Sequence, residues 1–258
     1  MRAGWRTIAG CAAGALLVVA GDRALAQASI PASGALPSAR AIVERHIEAV
    51  GGREAIGKHR SRYIWANLEI VGQRTRGTVH LYAARPYKRV LRVDQSDAGS
   101  SVTGFDGDIG WRKESGKAAV AIRGRELAQL RDESVFDVDL RDQQDIRVLE
   151  TVGLVQWERR PRYKVRVVSV TGREWMEYFD VETGLFAGSE GRRITDKGEV
   201  TLKTVVSGYK LYDGVRLPSQ VSLRSAGVEQ IIRVIGVRHD DVSASIFQPP
   251  ASVTRTGS

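Results

Sequence analysis

The chain has very little cysteine, asparagine or methionine. Of 258 residues, one is cysteine (Cys11), one is asparagine (Asn67) and two are methionine. A lone cysteine excludes an internal disulfide and a cysteine-built metal site, so stability must come from an ordinary hydrophobic core. Histidine is scarce too. His46, His59, His80 and His239 are the only four; no two share metal-ligand spacing on one element, and no His-Glu-x-x-His run occurs. A Gly-x-Ser-x-Gly elbow and a phosphate-cradling Gly-x-x-x-x-Gly-Lys are both missing. The acidic pairs Asp106/Asp108, Asp137/Asp139 and Asp240/Asp241 do not extend into a calcium loop with a distal glutamate, and they read as turn chemistry. Nothing here calls for a cofactor, and no catalytic residue is assigned.

One kind of charge is in excess. The chain holds 39 basic and 30 acidic residues. Only eight of the bases are lysine, and they are interleaved with acids along the whole length. Without a basic stripe carrying interleaved aromatics, nucleic-acid binding is not expected.

The first residues read as an export signal. Arg2 and Arg6 precede a small, apolar run from Thr7 to Gly21, and Ala24-Leu25-Ala26 supplies a small-x-small cleavage site. The run is shorter than the ~20 residues that span a bilayer and is closed by Asp22 and Arg23. Cleavage is expected after Ala26, which removes Cys11 and leaves 36 basic and 29 acidic residues.

Residues 27–37 hold Pro31, Gly34 and Pro37 and read as a flexible lead-in; a single domain is expected over 38–250, with a frayed tail at 251–258. Ser38 can cap a helix whose Ile42, Val43, Ile47 and Val50 share a face, ended by Gly51-Gly52. His46 falls on its polar side. Arg53 to Lys58 adds a short turn, and Arg125 to Leu140 reads as one broken amphipathic stretch. From Tyr63 onward the period is two. Successive strands are punctuated by Pro86, by Gly104 to Trp111, by Glu182-Thr183-Gly184, by Asp213-Gly214 and by Ala226-Gly227. The chain is therefore mostly β (α+β): a long antiparallel sheet, about ten strands, that must curl and whose inner face must be covered by helices, a partner or a ligand.

Four stretches carry a family resemblance. They are the helix ending in Val50-Gly51-Gly52, Phe105-Asp106-Gly107 leading to Trp111, Tyr178 to Leu185, and Gly208-Tyr209 through Asp213-Gly214-Val215-Arg216-Leu217-Pro218, closed by Phe247-Gln248-Pro249-Pro250. In this order the chain resembles the LolA/LolB-like superfamily of periplasmic lipoprotein carriers. The resemblance implies an open, incomplete β-barrel with helices across the concave face, a hydrophobic cavity that shields acyl chains, and a periplasmic location. It implies lipid or lipoprotein acyl chains as ligands, with transient envelope membrane or protein partners, and no enzyme activity. Tyr63, Trp65, Leu68, Val79, Leu81, Leu91, Trp111, Trp175 and Phe179 are the candidate cavity wall, each weighed against plain core packing, because a shift of one residue moves a side chain to the other face. Two other readings stay open: an envelope interaction module with a filled core, and a hydrolase with a dispersed site.

Overall fold

The computed structural model describes residues 35–140, 144–195 and 198–253. The expected signal segment and Cys11 lie outside the described residues. The chain divides into units 1–35 and 36–258, and the account below concerns the second.

Ser38 starts the first helix, α1 (Ala39–Val50), by accepting the Ala41 N–H at 3.2 Å. Ala39, Ile42, Ile47 and Val50 are buried along it. Gly51 ends it at φ 132°, and a Cβ there would stand 2.3 Å from the Gly214 carbonyl, so only glycine lets the Asp213-Gly214 turn come this close. A short helix, α2 (Gly52–Lys58), follows.

The sheet begins with a meander: β1 (Ser61–Ile70), β2 (Arg76–Ala84), β3 (Lys88–Gln95), β4 (Gly99–Phe105), β5 (Gly110–Glu114) and β6 (Val120–Ile122). Helix α3 (Gly124–Glu133) and a 3-10 turn (Val138–Leu140) lead to a second meander. Its strands are β7 (Ile146–Trp157), β8 (Arg160–Ser169), β9 (Glu174–Asp180), β10 (Phe186–Thr195), β11 (Gly198–Tyr212), β12 (Val215–Ser225) and β13 (Val228–His239). All neighbours are antiparallel, and the order is β6-β5-β4-β3-β2-β1-β13-β12-β11-β10-β9-β8-β7. The two meanders are thus joined along β1 and β13, and the outer edges β6 and β7 are not paired with each other.

Thirteen strands form, where about ten were expected. The Gly104 to Trp111 region supplies much of the difference, because β4, β5 and β6 are only 7, 5 and 3 residues long, too short for alternation to resolve. The broken amphipathic stretch read over 125–140 resolves into α3 and the 3-10 turn. Val253, expected in a frayed tail, is instead buried against the cluster of Trp111 and Phe247.

The sheet curls strongly. Leu127 and Leu130 of α3 pack on Phe105 and Ile122 at the β4–β6 end. On the same helix, the buried Gln129 side chain extends the ladder of β10: its amide donates to the Ile194 carbonyl (3.2 Å) and its oxygen accepts the Ile194 N–H (2.8 Å). In a flat sheet with strands spaced about 4.8 Å apart, β5 and β10 would be separated by roughly 38 Å. One helix, about 10 Å across, reaches both. Helix α1 covers the other end, packing Ala39 and Ile42 on Val165, Val167 and Phe179. The face that carries α1 and α3 is the inner face.

A buried histidine pair ties α2, β1, the β11–β12 turn and β13 together. The His59 and His239 rings stack 3.9 Å apart. His239 Nε2 accepts from Arg62 Nε (3.0 Å), which fixes the neutral ring, and its Nδ1–H donates to Asp213 (3.1 Å). Burial, with smaller contributions from Arg62 and His59, holds His239 below its usual value despite Asp213. The unfolded chain therefore binds this proton more readily than the folded one, and stability should fall as the pH drops below about 6.5. Thermal melts between pH 7.5 and pH 5 are expected to show a declining midpoint, with a shallower decline in His239→Gln.

Candidate functional site

Direct cross-strand partners share a face, and sequence neighbours alternate. On the inner face the row Ile64, Leu81, Leu91 runs across β1, β2 and β3, beside the row Ala66, Val79, Val93. Ala66, Leu68 and Val79 are buried here, with Leu91, Val93, Ile232 and Val234 packed on them. Across the curl, Val200 and Leu202 of β11 and Leu223 of β12 face the same space. Together these side chains enclose a groove of about 340 Å³ that also touches Leu68, Val79, Leu91 and Ile232. Most of its lining is aliphatic, and Arg193, Thr195, Ser225 and Gln230 supply the polar part.

A second cavity, about 360 Å³, adjoins the groove at Leu202 and Arg193. Its walls change character toward α1. Val43, Trp175, Phe179 and Phe186 supply apolar surface, while Arg89, Arg173, Arg193, Asp132, Glu133, Asp139, Glu177 and His46 supply charge and hydrogen-bonding groups. A larger polar depression of about 660 Å³ meets this cavity at Arg173, Trp175 and Gly191. Burial holds the Arg89 guanidinium below its usual range; Glu133 works the other way and Arg193 adds to the lowering. Burial does the same to Arg173, opposed by Glu133 and Asp132.

No protein-family model and no curated protein matches the chain. Among solved structures, a LolA superfamily protein from Nitrosomonas europaea superimposes with a TM-score of 0.55 at 10% identity, covering 83% of this chain and 99% of that one. The fold is LolA-like. A DUF1329 family protein from Desulfovibrio piger matches with a TM-score of 0.55 at 14% identity, over 81% of this chain and 97% of its own. An outer-membrane lipoprotein-sorting protein domain from Vibrio parahaemolyticus matches with 0.53 at 12% identity, over 81% and 97%.

The LolA-like frame separates the candidate wall residues into two groups. Leu68, Val79 and Leu91 line the groove, and Leu81 shares their face, opposite Leu91. Trp175 and Phe179 line the second cavity, although Phe179 is mainly core beneath α1. Tyr63, Trp65 and Trp111 stand on the outer face, so a wall role does not hold for them. Tyr63 stacks on Trp65 and on Tyr82, with ring centroids 5.2 and 4.5 Å apart. Trp111 is buried with Val90 beneath Phe247 and Val253. Glycine explains why these large rings fit outside. Trp111 lies over its cross-strand partner Gly104 and Trp65 over Gly236, where an added Cβ would meet the indoles at 2.1 and 2.2 Å.

His46 is another correction. It is buried, because the 3-10 turn covers the side of α1 that the sequence leaves polar. Its Nδ1 accepts the Phe186 N–H (3.1 Å) and its Nε2–H donates to Asp139 (3.1 Å), so neither nitrogen is available as a base in this arrangement. Asp106 and Asp240 behave as turn and capping groups, whereas Asp137 and Asp139 make side-chain contacts, to Arg85 and His46. Asp106 accepts the Asp108 and Ile109 N–H groups, and Asp240 accepts those of Arg60 and Ser61. Burial alone would raise Asp240, but these N–H groups and His59 bring its carboxyl down to about 2. The residues missed by sequence reading were Leu202, Leu223 and Ile232 of the groove and the arginines beyond it. Alternation places the first three on strands; it does not say which face turns inward.

Proposed function

We propose that this chain is a non-enzymatic periplasmic carrier that holds a lipid-type ligand, an acyl chain of a free lipid or of a lipoprotein, in the inner groove. The observation that carries this reading is the groove itself. A protein of this size packs its interior closely, yet here a mostly aliphatic groove of about 340 Å³ stays open on the inner face and adjoins a second cavity of about 360 Å³ at Leu202 and Arg193. Each is within the size range of small-ligand pockets. A filled-core interaction module would have no use for such a space. The carrier reading also fits the lipoprotein-sorting domain from Vibrio parahaemolyticus, which has the same fold.

The reading makes a quantitative demand. Each methylene moved from water into the groove gains about 0.8 kcal/mol, so shortening a bound chain by two carbons should weaken binding about tenfold. Titration of delipidated protein with a series of alcohols of increasing chain length measures this directly, and ligands should also raise the melting midpoint. A flat series, or no acyl ligand bound at all, would remove the proposal. Trp65→Ala should leave ligand binding unchanged, because its indole lies on the other face, stacked with Tyr63 and facing the Arg238 guanidinium.

A further inference from the structure

The arginines of the second cavity are incompletely hydrogen-bonded by the acids around them. Arg89 projects from β3 on the same face as Leu91 and Val93, and it lines the cavity. Among the described residues it makes no hydrogen bond and no ion pair. The charges that reach it are Glu133, at the end of α3, and the like-charged Arg193. Glu133 is itself committed. It accepts from Arg193 at 3.2 Å and faces Arg173 at 3.8 Å. Arg173 in turn keeps a buried Nε–H with no partner. The remaining acids of the cavity accept their hydrogen bonds elsewhere, Asp132 from the Ser169 and Thr171 hydroxyls, Asp139 from His46 and Glu177 from the Trp175 indole N–H, although the Asp132 charge still reaches Arg173. Glu133 thus contacts Arg193 and Arg173, while Arg89 and the Arg173 Nε–H keep N–H donors without a hydrogen-bond partner among the described residues. A polar group held away from water without a hydrogen-bond partner is costly. Arg193 lies at the junction, lining both this cavity and the aliphatic groove.

We propose that Arg89, Arg193 and Arg173 form an oxyanion-head site, so that the ligand is an amphiphile with a carboxylate or phosphate head at these arginines and its hydrocarbon tail in the groove. This rests on the carrier reading and narrows it to anionic amphiphiles. Guanidinium groups suit such heads because their planar N–H pairs match two oxygens at once. Glu133 then acts as an internal stand-in that holds Arg193 until a ligand head displaces it.

Calorimetric titration of the delipidated full chain at pH 8 tests the site, with four probes: dodecanoate, dodecyl phosphate, dodecanol, and inorganic phosphate alone. The two anionic amphiphiles should bind roughly tenfold or more tighter than dodecanol. Arg89→Met should erase that margin and leave dodecanol binding unchanged. Arg89→Gln serves if the methionine variant does not fold. Glu133→Gln should strengthen binding of the anionic amphiphiles several-fold by releasing Arg193 and Arg173. Equal binding of anion and alcohol, or a margin that survives at Arg89→Met and Arg89→Gln, overturns the head site while dodecanol binding keeps the carrier reading. Inorganic phosphate binding as tightly as dodecyl phosphate overturns the link between head and tail. If no twelve-carbon probe binds, the carrier reading fails first and takes the head site with it.

Discussion

Asp180→Ala is expected to lower the unfolding free energy by about 3–5 kcal/mol, the loss typical of a buried ion pair deprived of one partner. Asp180 closes the Asp-x-x-Thr-Gly turn between β9 and β10. Its Oδ1 accepts the Glu182 N–H (3.0 Å), the Thr183 N–H (2.8 Å) and the Thr183 hydroxyl (3.0 Å). Its Oδ2 accepts from Arg162 Nη1 at 2.5 Å, with both side chains only 9% exposed. Arg162 already has one buried nitrogen, Nε, without a partner, so removing Asp180 leaves a charge with little to hold it. The turn also seats α1, because Arg45 donates to the Val181 and Glu182 carbonyls (2.7 and 2.6 Å) and Gly184 leaves room for its stem. Loss of the turn should therefore loosen the helix that covers Phe179. Urea melts give the size of the effect; Asp180→Asn, which keeps the turn acceptor but not the charge, should fall between parent and alanine. Burial works against the ionised carboxyl, but the Thr183 and Glu182 donors and Arg162 hold it below the ordinary range. Its stabilisation is thus complete above about pH 4 and is lost as the pH falls through the folded value. A change of less than 1 kcal/mol in Asp180→Ala would show that the turn is not structural.

Leu202→Glu is expected to have the largest effect on binding with little effect on folding. Leu202 lines both the groove and the second cavity, and it is half-buried. A carboxylate there must either desolvate against a bound hydrocarbon chain or keep water beside it. Either outcome should weaken acyl binding by about 30-fold or more, equivalent to about 2 kcal/mol. The melting midpoint of the ligand-free protein should move by only a few degrees. The contrasting variant is Trp111→Ala, which removes a buried indole from the outer cluster and should cost about 3–5 kcal/mol of stability without changing ligand selectivity. If Leu202→Glu bound acyl ligands as the parent does, the groove would not be their site.

Much of the architecture is written locally. Ser38 and Gly51 mark the ends of α1, and the Asp180 to Gly184 and Asp213-Gly214 turns fall where side-chain and glycine chemistry put them. Alternation from Tyr63 onward announces strands. What local pattern does not carry is the direction of curvature. Near its start β1 is apolar on both faces, and the bulkier set, Tyr63 and Trp65, faces outward because a distant strand offers Gly236 beneath the indole. That pairing depends on register between residues more than 160 positions apart, which periodicity alone does not reveal. The same holds for His46, which becomes buried only when the 3-10 turn crosses α1. Arg89 was hidden for a simpler reason: one arginine among many has no distinguishing local context, and its place in the cavity exists only in three dimensions.

The pairing of β1 with β13 has a consequence for how the chain reaches its native state. The first strand meets its second neighbour only when the last one arrives, Arg62 opposite His239. Contacts this remote in sequence close large loops and slow the search. Until then the β1 backbone presents one bare side, next to a ladder of stacked rings, and any truncation that removes β13 should leave the two halves as separate, sticky meanders.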